Sequence, residues 1–271
     1  MISDDPDGWS QSATFGRTVW RNGLALPGTG GDPVVVARTG DARVPGTAPD
    51  VKDEELSVKL AMGTREVFDA ESLLEEYVGP RRRGLRYAYP YYDGLVTNGD
   101  PDLLCTGDLL APCLLGAGVD VDRMHTLTAL LPLLQRALDK LPPGIELIEA
   151  DDVTLDLVAA LYDPLDDPDV SDRDVKGSLI AKVLHRKRPA LVPLFDSKVR
   201  IFYQHESCVP AAPKDGRSWR EYMQLLVRAM QYDLRENAEE FQRLGSLVPA
   251  GGPPVTPLRM LDIVVWMSSA V

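Results

Sequence analysis

The stretch RPALVPLFDSKVR, residues 188–200, holds the side chain best placed to do chemistry. Asp196 follows the apolar run Val192-Pro193-Leu194-Phe195 and precedes Ser197-Lys198-Val199-Arg200, so it stands where a helix should begin. An acid there accepts hydrogen bonds from the first free N–H groups of the helix, a contact worth about 1 kcal/mol. The positive end of the helix and the neighbouring cations also favour the carboxylate anion. An anion suits the stabilisation of positive charge developing on a substrate, and it does not suit proton donation. Three roles stay open for Asp196: a cap alone, a ligand-binding charge, and a catalytic group.

Two further groups of residues bear on that choice. Lys182, Arg186, Lys187, Arg188, Lys198 and Arg200 lie in residues 176–200, where seven basic side chains face one acid for a local net of +6. Such a run can make a phosphate-facing surface, or simply a solvated face. Upstream, RRRGLRYAYPYYDG (81–94) interleaves arginines with tyrosines. Arginines hold phosphates and aromatic rings stack on bases. Tyr91 and Tyr92 are therefore candidate ligand contacts, and Asp93 a candidate second carboxylate, if this loop folds over Asp196. The alternative is a loop pinned to the core by its tyrosines.

Several familiar site chemistries are excluded. DPDVSDRD (167–174) has calcium-like acids at Asp167 and Asp169, but Asp172 stands where a calcium loop turns on glycine and Ser178 where it needs glutamate. These acids read instead as a solvated turn that pairs with the basic helix after it. His185 reads as a surface partner rather than a general base. Three histidines and three scattered cysteines give a metal site little support, so no metal and no cofactor is expected. No phosphate-binding glycine loop, nucleophile elbow or zinc-protease motif is present.

The bulk composition sets the frame. The 271 residues are 44% hydrophobic, enough for a sizeable core. No apolar run is long enough to span a membrane, and the acidic start lacks the order of a secretion signal, so a cytoplasmic protein is expected. The net charge of −12 opposes loose binding to nucleic acid. It also hides an asymmetry, because residues 151–174 hold nine aspartates against Arg173.

The elements that must position these side chains read as helices. Residues 1–50, rich in Gly, Pro, Asp and Thr, form an N-terminal arm, flexible or partly extended, and 51–271 a single helical domain. Helices are expected over 64–78, over GDLLAPCLLG (107–116), over 120–141 with a kink at Pro132, and over 151–163. GIELIEA (144–150) is a short strand or an extended connector. Further helices follow over 175–188, where Gly177 costs about 1 kcal/mol against alanine, and from Asp196. The clearest periodicity runs unbroken over 218–244, and a last helix begins at Thr256-Pro257. The fold class is all-α.

KGSLIAKVLHRKRPALVPLFDSKVR (176–200) resembles the helix-hairpin-helix DNA glycosylase superfamily. There a hairpin helix with a small-residue face leads through a short loop to an aspartate at the next helix start, within Pro-hydrophobic-x-Asp-x-x-Val and a basic residue. Pro193, Leu194, Asp196, Val199 and Arg200 match that pattern, and Ala181 fits the small residue. The resemblance implies that Asp196 stabilises charge on a sugar as a base leaves, or helps activate the nucleophile. Two departures are visible. The hairpin reads SDRDVKGSL rather than the glycine-rich L-P-G-hydrophobic-G that approaches a DNA phosphate. Ser178 and Gly177 stand where lyase-type members carry lysine, so the resemblance implies a monofunctional N-glycosylase. The chain is also similar to DUF6308, actinobacterial proteins of unknown function, through KRP-x-L-x-P-x-x-D, Tyr92-Asp93-Gly94 and Asp262…Trp266-Met267. The expected function is an N-glycosylase-like activity on a nucleotide or nucleic acid. The other reading is a non-catalytic module binding nucleic acid or protein.

Overall fold

The computed structural model describes residues 56–80, 87–171, 175–204, 208 and 216–269. All of them belong to one compact unit, Lys52–Val271. The N-terminal arm and the arginine run at 81–86 lie outside the described residues. The protein is mostly helical, with ten α-helices among the described residues and one two-stranded hairpin.

The chain enters through β1 (Val58–Leu60) and β2 (Arg65–Val67), which pair antiparallel with Val58 opposite Val67. A helix is expected from residue 64, so the hairpin corrects that reading. The physical reason lies far along the chain. Ala61 and Met62 adopt positive φ (51° and 56°), costing roughly 1 kcal/mol or more each for a side-chain-bearing residue. The buried carboxylate of Asp233 accepts both of their N–H groups at 2.8 Å, and the Tyr203 hydroxyl at 2.7 Å. Asn237 then grips Lys59 on both its N–H and its carbonyl. A turn that sequence alone disfavours is thus fixed by partners some 170 positions away.

Helix α1 (Ala70–Val78) starts only after this hairpin. Its inner face, Ala70, Leu74, Tyr77 and Val78, is buried. GDLLAPCLLG folds as a 3₁₀ turn, Asp108–Leu110, running into α2 (Ala111–Leu114) and closing at Gly116 with φ 74°. Helix α3 (Val121–Leu138) accommodates Pro132, and Asp120 caps its start. GIELIEA is a connector of turns, tied down where Gln231 donates to the carbonyls of Leu147 and Ala150. Helix α4 (Asp152–Ala160), capped by Asp151, and the one-turn α5 (Pro168–Ser171) follow.

Helix α6 (Gly177–Leu184) is the most enclosed short element. Gly177, Leu179, Ile180, Ala181, Lys182, Val183 and Leu184 are all buried. Gly177 is a packing requirement: a Cβ there would sit 2.8 Å from Cη2 of Trp219 and closer still to Cζ3. The chain then turns through 185–195 into α7 (Ser197–Tyr203). The long periodic stretch is two helices, α8 (Trp219–Glu236) and α9 (Ala238–Gly245), which corrects the single helix expected there. The break falls at Asn237, whose side chain is engaged with Lys59. Ser218 and Glu221 form a reciprocal capping box at the start of α8. Helix α10 (Pro257–Ser268) begins with Thr256 as cap and Pro257 in the first turn. It is buried along nearly its whole length and packs on α1, α7, α8 and α9.

Of the acidic turn at 167–174, expected to pair with the basic helix after it, Asp172 and Asp174 lie outside the described residues, and Asp167 accepts the N–H of Asp169. The acids before that turn pair with α8. Asp156 and Asp163 receive Arg220, and Asp152 receives Arg228, both from α8. Asp166 accepts the N–H of Trp219. The contacts between α4 and α8, not sequence proximity, decide the partners.

Candidate functional site

A cavity of about 220 Å³ opens where α1, α6 and α10 converge on the start of α7. Four charged side chains line it: Lys182 from α6, Asp196 at the head of α7, and Arg259 and Asp262 from α10. Tyr77, Tyr87 and Trp266 form its aromatic wall. Apolar sides come from Leu114 and Leu115 at the end of α2, Leu194-Phe195, and Ile263.

Asp196 performs two tasks with its two oxygens. Oδ1 accepts the N–H groups of Lys198 at 2.9 Å and Val199 at 3.0 Å, so the residue is the cap of α7. Oδ2 has no hydrogen-bond partner among the described residues. The cap fixes the carboxylate in one orientation at the cavity wall.

The aromatic wall is itself ordered. Tyr77 and Tyr87 stack with ring centroids 5.1 Å apart and planes 28° from parallel. Trp266 meets both edge-on, at 6.3 and 6.4 Å. The Lys198 ammonium sits 3.8 Å from the centre of the Trp266 ring, a cation–π contact. Tyr87 also donates its hydroxyl to Glu76 at 2.7 Å, and that bond, ahead of burial, pushes its pKa up to about 12.

Arg259 is the hub behind the cavity. Its Nε donates to Asp93 Oδ1 at 2.8 Å, one terminal nitrogen pairs with Asp262 Oδ2, and the other donates to the Tyr77 hydroxyl at 2.8 Å. Burial pushes the Asp262 carboxyl up to about 6. Arg259, shared with Asp93, pulls it back, and the nearby Asp196 charge adds to the rise. Lys182 is 8% exposed. Burial lowers its pKa, and the carboxylates of Asp196 and Asp262 oppose that shift. Its Nζ makes no hydrogen bond or ion pair among the described residues.

The residues singled out in sequence land in different places. Asp196 and Lys182 meet at the cavity. Asp93 lies behind it, locked in the ion pair with Arg259, with both side chains 5% exposed or less. Tyr92 is fully buried, donates its hydroxyl to the Lys182 carbonyl at 2.7 Å, and supports α6 rather than lining the cavity. Tyr91 is 57% exposed and outside the lining.

The basic run is largely turned inward. Arg186 donates to the carbonyls of Asp93 and Leu95. Lys187 forms a buried ion pair with Asp108 at 3.1 Å, and Arg188 pairs with Asp102 at 2.7 Å. These three cations staple the 93–108 loop to the end of α6, so the expected continuous phosphate-facing surface is not what they build. Burial alone would raise the Asp108 carboxyl, but bonds from Thr97, the Cys105 N–H and Lys187 outweigh it and hold the carboxyl below its usual value. Arg200 is half-buried on α7, outside the cavity lining. His185, expected at the surface, is 1% exposed. Its Nδ1 bonds the Val192 carbonyl at 2.7 Å, and burial, then the charge of Arg259, depresses its pKa to about 4. The ring is therefore neutral at physiological pH and acts as an internal strut.

A family model described as "Family of unknown function (DUF6308)" matches residues 70–269. The chain belongs to this family. No curated protein and no solved structure matches it. The matched span of this DUF6308 protein takes in every element that contributes to the cavity, from Tyr77 on α1 to Trp266 on α10.

Tyr87, one of the tyrosines of the arginine–tyrosine stretch, lines the cavity, whereas Tyr77, Arg259, Asp262 and Trp266 were not singled out as site residues by their chemistry in sequence. A signal did exist for three of them. Arg259, Asp262 and Trp266 fall at i, i+3 and i+7, one face of a helix that is otherwise Leu, Met, Ile and Val. Polar residues on the buried face of an apolar helix mark a site or an internal ion pair. Tyr77 has no such signal, because a tyrosine on an amphipathic helix reads as core.

No helix among the described residues is long and apolar enough to cross a membrane.

Proposed function

We propose that this DUF6308 protein is an N-glycosylase-like hydrolase whose cavity receives the base and sugar of a nucleoside or nucleotide. In this reading Asp196 stabilises the positive charge that develops on the sugar when the base leaves. The observation that carries it is the Oδ2 of Asp196, unpartnered among the described residues and held by the cap geometry at the wall of an aromatic cavity. A flat ring slots against the tyrosine–tryptophan wall, and the fixed anion needs no reorganisation as charge appears beside it. The α6–loop–α7 unit is read as a helix-hairpin-helix glycosylase-like element that has lost its phosphate-binding glycines.

The volume and the charge favour a small guest over a duplex. About 220 Å³ is below the roughly 300–1,000 Å³ of sites that enclose drug-sized ligands. The chain carries −12, and Arg186, Lys187 and Arg188 are engaged with the 93–108 loop. A free nucleoside or a single exposed nucleotide fits that balance better than a long polyanion.

The test is release of free base from a panel of purine and pyrimidine nucleosides, followed by chromatography, with Asp196→Asn as control. The expected result is release by the native protein and a loss of about 100-fold or more in the variant, with binding of the free base retained. Release from no nucleoside or nucleotide, or equal release by the variant, would overturn the reading. Retained binding without release would leave a binding module.

A further inference from the structure

We propose that Lys182 is the proton donor of this cavity: its ammonium hydrogen-bonds an acceptor atom on the guest ring and passes a proton to the base as it departs. This rests on the N-glycosylase reading above and deepens it, because Asp196 alone stabilises the sugar and leaves the departing base as an anion.

Three observations converge on the amine. Lys182 is over nine-tenths buried, yet it lines the cavity. Its Nζ has no partner among the described residues, whereas the other cation of the cavity, Arg259, is engaged on all sides by Asp93, Asp262 and Tyr77. Its helix is clamped, with the Tyr92 hydroxyl on the Lys182 carbonyl and Gly177 against the ring of Trp219. A buried lysine without a partner is costly unless a guest supplies one. Burial also makes the ammonium a better acid than a surface lysine.

The other acids of the site are less suited. Burial raises the Asp262 carboxyl to about 6, but its Oδ2 is committed to the Arg259 guanidinium rather than offered to a guest. Asp196 is the anion required beside the sugar. The tyrosines hold their protons too firmly, since burial raises Tyr77 and the bond to Glu76 raises Tyr87. Asp196, Asp262, Arg259, Tyr77 and Tyr87 are thus the titratable or charged groups that share the cavity with Lys182.

The step balances without redox chemistry. The N–C1′ bond breaks and its electron pair stays on the base nitrogen. A proton from Lys182 reaches the base, directly or at a ring acceptor. Water forms the new C1′–O bond and gives up a proton, which restores the lysine ammonium through solvent. A nucleoside whose base is already cationic, such as 7-methylguanosine, leaves without that proton and should bypass Lys182.

The experiment compares the native protein with Lys182→Met on adenosine and on 7-methylguanosine, with adenine binding measured by calorimetry. The expected result is a loss of about 100-fold or more on adenosine, a much smaller loss on 7-methylguanosine, and disappearance of the basic limb of the adenosine pH profile. Equal losses on both nucleosides, or no loss on adenosine, would overturn the assignment. If the native protein cleaves neither nucleoside, the N-glycosylase reading fails for these substrates and the proton-transfer role falls with it. The calorimetry then still decides the ring contact: adenine binding weakened about tenfold by Lys182→Met supports it, and unchanged or absent adenine binding overturns it. Lys182→Arg keeps the charge with a far weaker acid. It should restore binding but not adenosine turnover, an outcome a purely structural lysine would not give.

Discussion

Asp196 offers a clean separation of stability from chemistry, because each of its oxygens has a different task. Asp196→Ala removes both bonds to the α7 N–H groups, at 2.9 and 3.0 Å. Loss of a cap costs about 1 kcal/mol. For a unit of this size that corresponds to a fall in Tm of about 2–4 °C. Asp196→Asn keeps an oxygen in the capping position and should stay within a few tenths of a kcal/mol of native. The rate should behave differently. A unit charge about 4 Å from the developing cation, at an effective dielectric of about 20, is worth roughly 4 kcal/mol, or about a thousandfold in rate. Both variants therefore lose turnover alike, while only the alanine loses stability. Thermal melts and single-turnover base release measure the two effects. If Asp196→Asn turned over at the native rate, the carboxylate would be a cap and nothing more. If it lost as much stability as Asp196→Ala, the division of labour between the oxygens would be wrong.

Three further predictions concern the frame around the cavity. Lys187→Met leaves Asp108 buried without its cation and should destabilise the protein by about 3 kcal/mol in a denaturant titration, while the double variant Lys187→Met/Asp108→Asn should recover most of that loss. Gly177→Ala should destabilise by about 1–3 kcal/mol despite its better helix propensity, because the new methyl meets the ring of Trp219; the loss should shrink in a Trp219→Phe background, read as coupling in a double-mutant cycle. The raised pKa of Asp262, about 6, means that the folded state holds a proton that the unfolded state has released between roughly 4 and 6. The stabilising contribution of that proton is fully present below the unfolded value and is lost as pH rises through about 6. Denaturation midpoints at pH 4.5 and 7.5 should therefore differ in a way that Asp262→Asn removes, and an identical pH slope in the variant would refute it.

The helices themselves were largely legible in sequence. Asp196 and Thr256, read as caps in sequence, cap α7 and α10, and Asp120, Asp151 and Ser218 cap three more helices. The hairpin at 58–67 was not legible. Its turn depends on Asp233 and Tyr203, and no local signal in Ala61-Met62 anticipates them. The break at Asn237 was hidden for the same reason, since apolar spacing continues unbroken through it.

What the sequence by itself determined was the local physics: a mostly helical chain, caps at Asp196 and Thr256, and a carboxylate at the start of α7 beside basic residues. Tertiary structure decided where the charges go. It took Arg186, Lys187 and Arg188 out of any guest-facing surface, because the buried Asp108 carboxylate, the exposed Asp102 carboxylate and the carbonyls of Asp93 and Leu95 engage them. It brought Tyr77 and Trp266, 189 positions apart in the numbering, to one wall, and it left Lys182 in the cavity without a partner among the described residues. Charge type and helix position are properties of neighbours in sequence. Which charge is satisfied internally and which stays available depends on partners that only folding brings within a few ångströms.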